Sequence, residues 1–272
     1  MAAASRPKRT RTLPRFSDLT RSKDGFPTLL NPGRWLPLPP IWMEGRIATE
    51  FMALQKDPVF AGKGVARGDG RPVLLVPGFW SGDFSMHVLS DWLRRVGYQP
   101  ELGGINFNIR YSEVLVKALA KRLLEVYRTE GRKVTVLGHS RGGLLAKVLS
   151  HRYYPQIDQV IALGSPLADP FDINPLTMVG VRAAQLFNVV AYGRPATVEL
   201  RFMRDLKAKP RVPVTNVYSR SDGIVNWRAC LREDIHAIEV RGSHVGLAVN
   251  PETYRVLGQV LAAGWQGMPR PR

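Results

Sequence analysis

Residues 134–149, VTVLGHSRGGLLAKVL, constrain the fold more than any other stretch of this chain. Val134–Leu137 reads as a short buried strand and Leu144–His151 as a helix, with Gly138-His139-Ser140-Arg141-Gly142 between them. A chain that passes from strand to helix in so few residues needs small residues on both sides of the turn, so that the two backbones can approach. A serine at the apex then projects its hydroxyl beyond the sheet edge. The N-terminus of the following helix places a partial positive charge beside it. Roughly one chain in ten of this length would carry a G-x-S-x-G pattern by chance. The apolar strand before it, the helix after it and the further small residue Gly143 single out Ser140 as a candidate nucleophile rather than an ordinary turn serine. His139 is expected to point away across the turn and support it.

The same strand-then-helix rhythm continues on both sides. Val73–Val76 ends at Pro77-Gly78 and reads as a buried strand and turn. Residues 85–96 place Met86, Leu89, Leu93 and Val96 on one helical face. Residues 112–128 do the same with Leu115, Leu119, Leu123 and Val126, and Ser112 is a candidate cap. Val160–Leu163, Val214–Tyr218 and Ile235–Val240 read as further strands, and residues 252–263 as a closing helix. This alternation predicts an α/β fold, a mostly parallel central sheet with helices on both faces. In such sheets functional residues collect beyond the carboxyl ends of the strands. The places to inspect are therefore those after Val76, Leu137, Tyr218 and Val240.

Ahead of this region, residues 1–24 are basic and poor in apolar residues, which predicts a disordered tail. Residues 25–70 read as an N-terminal arm, proline-rich at 25–40 with Trp35 and Leu36 as anchors, followed by a short helix over 41–54. The α/β domain is expected over 71–272. The net charge is +17, of which residues 1–24 contribute +5 and the remainder +12. Such a surface favours anionic partners, including weak binding of an anionic surface through the tail. No nucleic-acid motif accompanies the charge, so no specific nucleic-acid partner is expected. No uncharged apolar run of membrane-spanning length and no signal-type leader are read, which predicts a cytoplasmic protein. The single cysteine, Cys230, excludes an internal disulfide. It lies in WRACLRED without a glycine turn, so a buried or surface role is favoured over a nucleophilic one.

With its strand, GHSRGG turn and helix in place, the sequence resembles the α/β-hydrolase superfamily, in particular its small bacterial lipases and esterases. The resemblance covers roughly residues 72–262. It implies an α/β-hydrolase fold and a nucleophile–acid–histidine order along the chain. After Ser140 the histidines are His151, on the elbow helix, His236, inside a strand pattern, and His244, in a loop beyond a strand. His244-Val245-Gly246-Leu247 fits the base of this family. Asp222, in Ser219-Arg220-Ser221-Asp222-Gly223, fits the acid, with Asp169 and Asp172 as rivals. Where relatives often carry a His-Gly-x oxyanion segment this chain has Pro77-Gly78-Phe79. The resemblance accordingly implies the Phe79 and Arg141 amides as oxyanion donors. Ser165 is expected to shape a pocket wall.

The family inserts its lid where this chain has residues 167–212. Met178–Tyr192 is largely apolar, with Arg182, Gln185 and Asn188 sharing a helical face, and this predicts an amphipathic cap over an acyl pocket. The expected chemistry is serine hydrolysis of a small-molecule or lipid carboxylic ester through an acyl-enzyme. An acyltransferase with the same triad, or a non-catalytic binding protein on this fold, is the alternative. No dinucleotide-type glycine motif or metal-ligand cluster is present in the sequence, so no cofactor and no metal are expected.

Overall fold

The computed structural model describes residues 41–193 and 199–264. The expected tail at 1–24, and the anchors Trp35 and Leu36, lie outside the described residues. Six parallel strands form one sheet: β1 (Pro72–Val76), β2 (Gln99–Leu102), β3 (Val134–His139), β4 (Ile157–Leu163), β5 (Val214–Tyr218) and β6 (His236–Glu239), in the order β2-β1-β3-β4-β5-β6. The pairing β1 to β3 aligns Val76 with Gly138, and β3 to β4 aligns His139 with Leu163. The inner strands β1, β3 and β5 are buried along their whole length, and β4 everywhere except Asp158. Such strands read as apolar runs because helices cover both faces. Strand β2, sequence QPEL, was not legible in that way. It is an edge strand, where polar residues and a proline are tolerated.

Seven α-helices among the described residues surround the sheet: α1 (Ile47–Lys56), α2 (His87–Arg95), α3 (Ser112–Glu130), α4 (Arg141–Arg152), α5 (Pro175–Tyr192), α6 (Glu199–Lys207) and α7 (Pro251–Ala263). Alternate residues of β1 serve opposite faces. Leu74 and Val76 join Leu119, Leu123, Leu145, Phe202 and Leu206, from α3, α4 and α6. Val73 and Leu75 join Leu54, Trp92, Tyr254 and Leu257, from α1, α2 and α7. Residues 41–61 thus pack on the α/β unit. Within the 41–54 segment the first residues, Ile41–Arg46, form a 3-10 turn before α1 begins. The predicted cap at Ser112 differs from the structure. Tyr111 occupies the N-cap position of α3 without a side-chain hydrogen bond, and the Ser112 hydroxyl accepts from Arg141 Nη2 at 3.1 Å instead.

The sheet order reverses at β1, whose connections leave toward β2 on one side while β3 lies on the other. The carboxyl ends of β1 and β3 therefore flank the point where the strand order reverses, the expected place for a site in an open α/β sheet. Helix α5 lies over that end of the sheet. Asn174 caps it by accepting from Leu176 N at 2.9 Å, and Gly193 ends it in the left-handed region at φ 57°. The Asn188 side chain donates to Ile109 O at 2.8 Å, tying α5 to the loop after β2. A third apolar cluster joins Met178 of α5 to Ile173, Tyr218 and Cys230.

Candidate active site

The turn after β3 is as tight as the glycines require. A Cβ on Gly138 would sit 2.4 Å from Gly142 C, and one on Gly142 would sit 2.2 Å from Val76 O. Ser140 is left at φ 55°, a left-handed conformation that costs a non-glycine residue about 1–3 kcal/mol and must be enforced by its surroundings. The enforcement is visible. Ser140 N donates to Leu163 O at 2.7 Å, and Ser140 O accepts from Gly143 N at 3.0 Å and from Ser165 Oγ at 2.7 Å. Ser165, expected in a pocket wall, is fully buried beneath the elbow instead, where a Cβ on Gly143 would collide with its hydroxyl. The physical reason is that β4 runs alongside β3, so the residue ending β4 meets the elbow backbone before it meets solvent.

Two loops converge on this turn. Asp222 follows β5. Its Oδ1 accepts from Ile224 N at 2.8 Å and Val225 N at 2.7 Å, which leaves Oδ2 for a single partner. That partner is His244, in the loop after β6, whose Nδ1 donates to Asp222 Oδ2 at 2.6 Å. Since Nδ1 carries the hydrogen, Nε2 of the neutral ring is left as the basic atom. Burial opposes a charge on His244. The Asp222 carboxylate, its hydrogen bond and the nearby Glu44 outweigh burial and raise the imidazole pKa above its ordinary value. Neighbouring His139 behaves in the opposite way. Buried, and beside His244, it is pushed down to about 3. It therefore stays neutral and donates from Nε2 to His244 O at 2.9 Å. The rings of His139 and His244 lie 4.9 Å apart, so the elbow and the loop after β6 are in direct contact. Among the described residues the Ser140 hydroxyl has no hydrogen-bond partner. Bonds of this kind are often long without substrate and tighten in the reacting complex.

The remaining candidates are held elsewhere. Asp169 accepts from Phe171 N, and Asp172 accepts from the Asn226 side chain and amide, both within the loop network under α5. His151 lies in the last turn of α4 and His236 opens β6. Cys230 is buried, and burial pushes its thiol pKa well up, which keeps it in the unreactive protonated form.

On the side of β1, Gly78 lets the loop after that strand press on the elbow. A Cβ there would lie 3.0 Å from His139 Nδ1 and 3.3 Å from Ser140 Cβ. Phe79 follows directly. Arg141 opens α4, so its N–H has no intrahelical acceptor. The Arg141 side chain locks the neighbouring loop. It donates to Asn108 Oδ1 at 2.9 Å, to Arg110 O at 2.7 Å and to Ser112 Oγ, while Asn108 Nδ2 donates to Pro77 O at 2.8 Å. Burial lowers the guanidinium to about 10, still fully charged at neutral pH.

Sequence reading missed two carboxylates. Glu44 accepts from His244 N at 2.8 Å, Val245 N at 2.9 Å and Gly223 N at 2.9 Å, bridging the loop after β5 and the loop after β6. Glu50, on α1, accepts from Ser243 N at 2.9 Å and Ser243 Oγ at 2.7 Å. Gly246 is required for space rather than for flexibility, because a Cβ there would overlap Glu50 Oε2. Ser219 and Ser221 add a direct link between the two loops, both hydroxyls donating to Gly242 O.

The parallel sheet, the elbow after β3 and the loops after β5 and β6 define an α/β-hydrolase fold. Within that class, the sequence profile of the PGAP1-like alpha/beta domain family matches residues 108–180, from Asn108 through the elbow into α5. Among solved structures, the chain is similar to a Bacillus licheniformis lipase in mature form at 16% identity and TM-score 0.54, covering 73% of this chain and 94% of that one. It is similar to the Paleococcus ferrophilus monoacylglycerol lipase at 18% identity and TM-score 0.52, covering 73% and 96%. A metagenome-derived lipolytic enzyme is similar at 14% identity and TM-score 0.51, covering 73% and 94%. At these identities the likeness is one of fold. No curated protein sequence matches the chain. No helix among the described residues is long and apolar enough to cross a membrane.

Proposed function

We propose that this protein is a serine hydrolase of carboxylic esters, with Ser140 as nucleophile, His244 as general base and Asp222 as the residue that orients it. The observation that carries the reading is the His244–Asp222 hydrogen bond of 2.6 Å, formed by two loops that pack directly on the strained Ser140 turn. A serine hydroxyl is a weak nucleophile until a base takes its proton, and the base works only in the tautomer whose free nitrogen faces the hydroxyl. Asp222 selects that tautomer. Ser140 Oγ adds to the ester carbonyl while its proton moves to His244 Nε2. The tetrahedral oxyanion accepts hydrogen bonds from the Phe79 and Arg141 amides. His244 then protonates the leaving alcohol, and water, deprotonated by the same nitrogen, releases the acid and regenerates Ser140. The lipolytic relatives by fold favour an ester with an acyl chain.

A series of p-nitrophenyl esters of increasing chain length tests this reading. Hydrolysis by the wild-type protein and its loss in Ser140→Ala at unchanged melting temperature are expected. Turnover that survives in Ser140→Ala would overturn the assignment.

A further inference from the structure

Helix α5 is amphipathic in the inverted sense. Its inward side carries the polar Asn188, buried and hydrogen-bonded to Ile109 O, beside small or medium residues such as Ala184 and Met178. Its outward side carries Leu176, Val179, Leu186, Phe187 and Val190, each between 53% and 77% exposed. At 100° per residue these five positions fall in one stripe about a quarter of the circumference wide. The stripe continues toward the elbow through Trp80, which is 54% exposed, touches α5 at Gly180 and packs on Phe79. Singly exposed apolar residues are ordinary, whereas a continuous stripe on one helix marks a contact surface.

Charge indicates which contact. Residues 173–198 contain no acidic residue, and Arg182 is the one charged residue of α5. Arg110 stacks on Tyr192 at the end of the helix, 5.1 Å from the ring centroid. Across 167–212 there are seven Lys or Arg against four Asp or Glu, and the whole chain carries +17. Two copies meeting through this face would bring like charges together, whereas an anionic lipid surface offers both hydrocarbon for the stripe and phosphate for the arginines.

We propose that α5 is a docking helix for an anionic lipid surface, its stripe seated among the acyl chains and Arg110 and Arg182 at headgroup level. The helix docks without turning over, because its apolar side already faces outward. Lipid binding therefore needs no opening of α5. That an ester drawn from the surface then reaches Ser140 rests on the hydrolase reading above. The docking itself does not.

The test is co-sedimentation of the full-length protein with vesicles of phosphatidylcholine, or of equal parts phosphatidylcholine and phosphatidylglycerol. The comparison is with Leu186→Gln/Val190→Gln, which keeps good helix formers at both positions. The wild-type chain is expected to partition onto the phosphatidylglycerol vesicles, and the double variant at least about tenfold less. Both should cleave p-nitrophenyl butyrate alike in vesicle-free buffer. Equal partitioning of the two proteins would overturn the proposal. So would wild-type protein that dimerises through this face and leaves vesicles unbound. Failure of both proteins to cleave the soluble ester, with the vesicle difference intact, would remove the hydrolase reading and leave docking standing.

Discussion

Two groups of carboxylates, buried except for the half-buried Glu44, sit at opposite ends of the α4 helix and are neutralised in different ways. At its C-terminal end, Arg152 donates to Glu113 from Nη1 and Nη2 at 2.9 and 2.5 Å and to Asp205 from Nε at 2.8 Å, which knits α3, α4 and α6 together. Burial works against the Asp205 charge, but the hydrogen bonds from Arg152 and Arg204 overcome it and hold this carboxyl below its ordinary pKa. At its N-terminal end, Glu44, Glu50 and Asp222 face backbone amides, a serine hydroxyl and one imidazole. The first group is matched by two permanent cations, Arg152 and Arg204, so its charge balance is complete at neutral pH. The second is matched mainly by dipoles, with Arg46 Nε 4.0 Å from Glu50 Oε1, and the carboxylates of Asp222 and Glu44 raise the His244 pKa. One arrangement ties three helices together, the other raises the pKa of an imidazole.

The largest break in this comparison comes from the second group. Asp222→Asn should lower kcat by about 10⁴-fold, since the amide no longer selects the working tautomer. It should leave the fold intact by circular dichroism. Retained activity would place the acid elsewhere. Next is the first group. Arg152→Met strands buried Glu113 and leaves Asp205 with Arg204 alone, and should cost about 3–5 kcal/mol in urea unfolding, with kcat nearly unchanged in the protein that remains folded. A stability loss under 1 kcal/mol would mean that the pair carries no net weight.

A smaller effect separates the two kinds of neutralisation. His244 has a raised pKa when folded, so it must lose its proton before it can act as a base. The acid limb of kcat/KM is therefore expected above the ordinary imidazole range. Glu44→Gln keeps an acceptor for the loop amides and removes charge, so that limb should move to lower pH with only a few-fold change in kcat. An unmoved limb would show that Glu44 acts by packing alone. Stability follows the same signs. The His244 contribution is present below the unfolded imidazole pKa and lost as pH rises through the folded one. The Asp205 contribution is present above the unfolded carboxyl pKa and lost as pH falls through the folded one. The smallest effect is expected for Ser165→Ala, about 1 kcal/mol from one hydrogen bond to the elbow carbonyl.

Different parts of this arrangement were legible in the sequence to different degrees. The elbow could be read because all its determinants lie within sixteen residues: an apolar strand, small residues on both sides of Ser140 and a helix pattern. The His244 and Asp222 positions followed from the loops that end β6 and β5 together with the family order. Glu44 and Glu50 could not be read, because their partners are backbone amides and a serine some 180–200 residues away. An amide leaves no residue signature. Strand β2 was hidden by the polar composition of an edge. The helical pattern over 178–192 was legible, but its periodicity defines a stripe without saying which side faces the protein, and Asn188 points inward.

The central claim is that the elbow holds an activated serine. Treatment of the purified protein with a fluorophosphonate, followed by mass spectrometric mapping of the adduct, addresses it directly. Stoichiometric phosphonylation at Ser140, slowed strongly in Asp222→Asn and absent in Ser140→Ala, is the predicted result. A folded protein that takes up no probe, or that takes it up at a residue other than Ser140, would contradict the account.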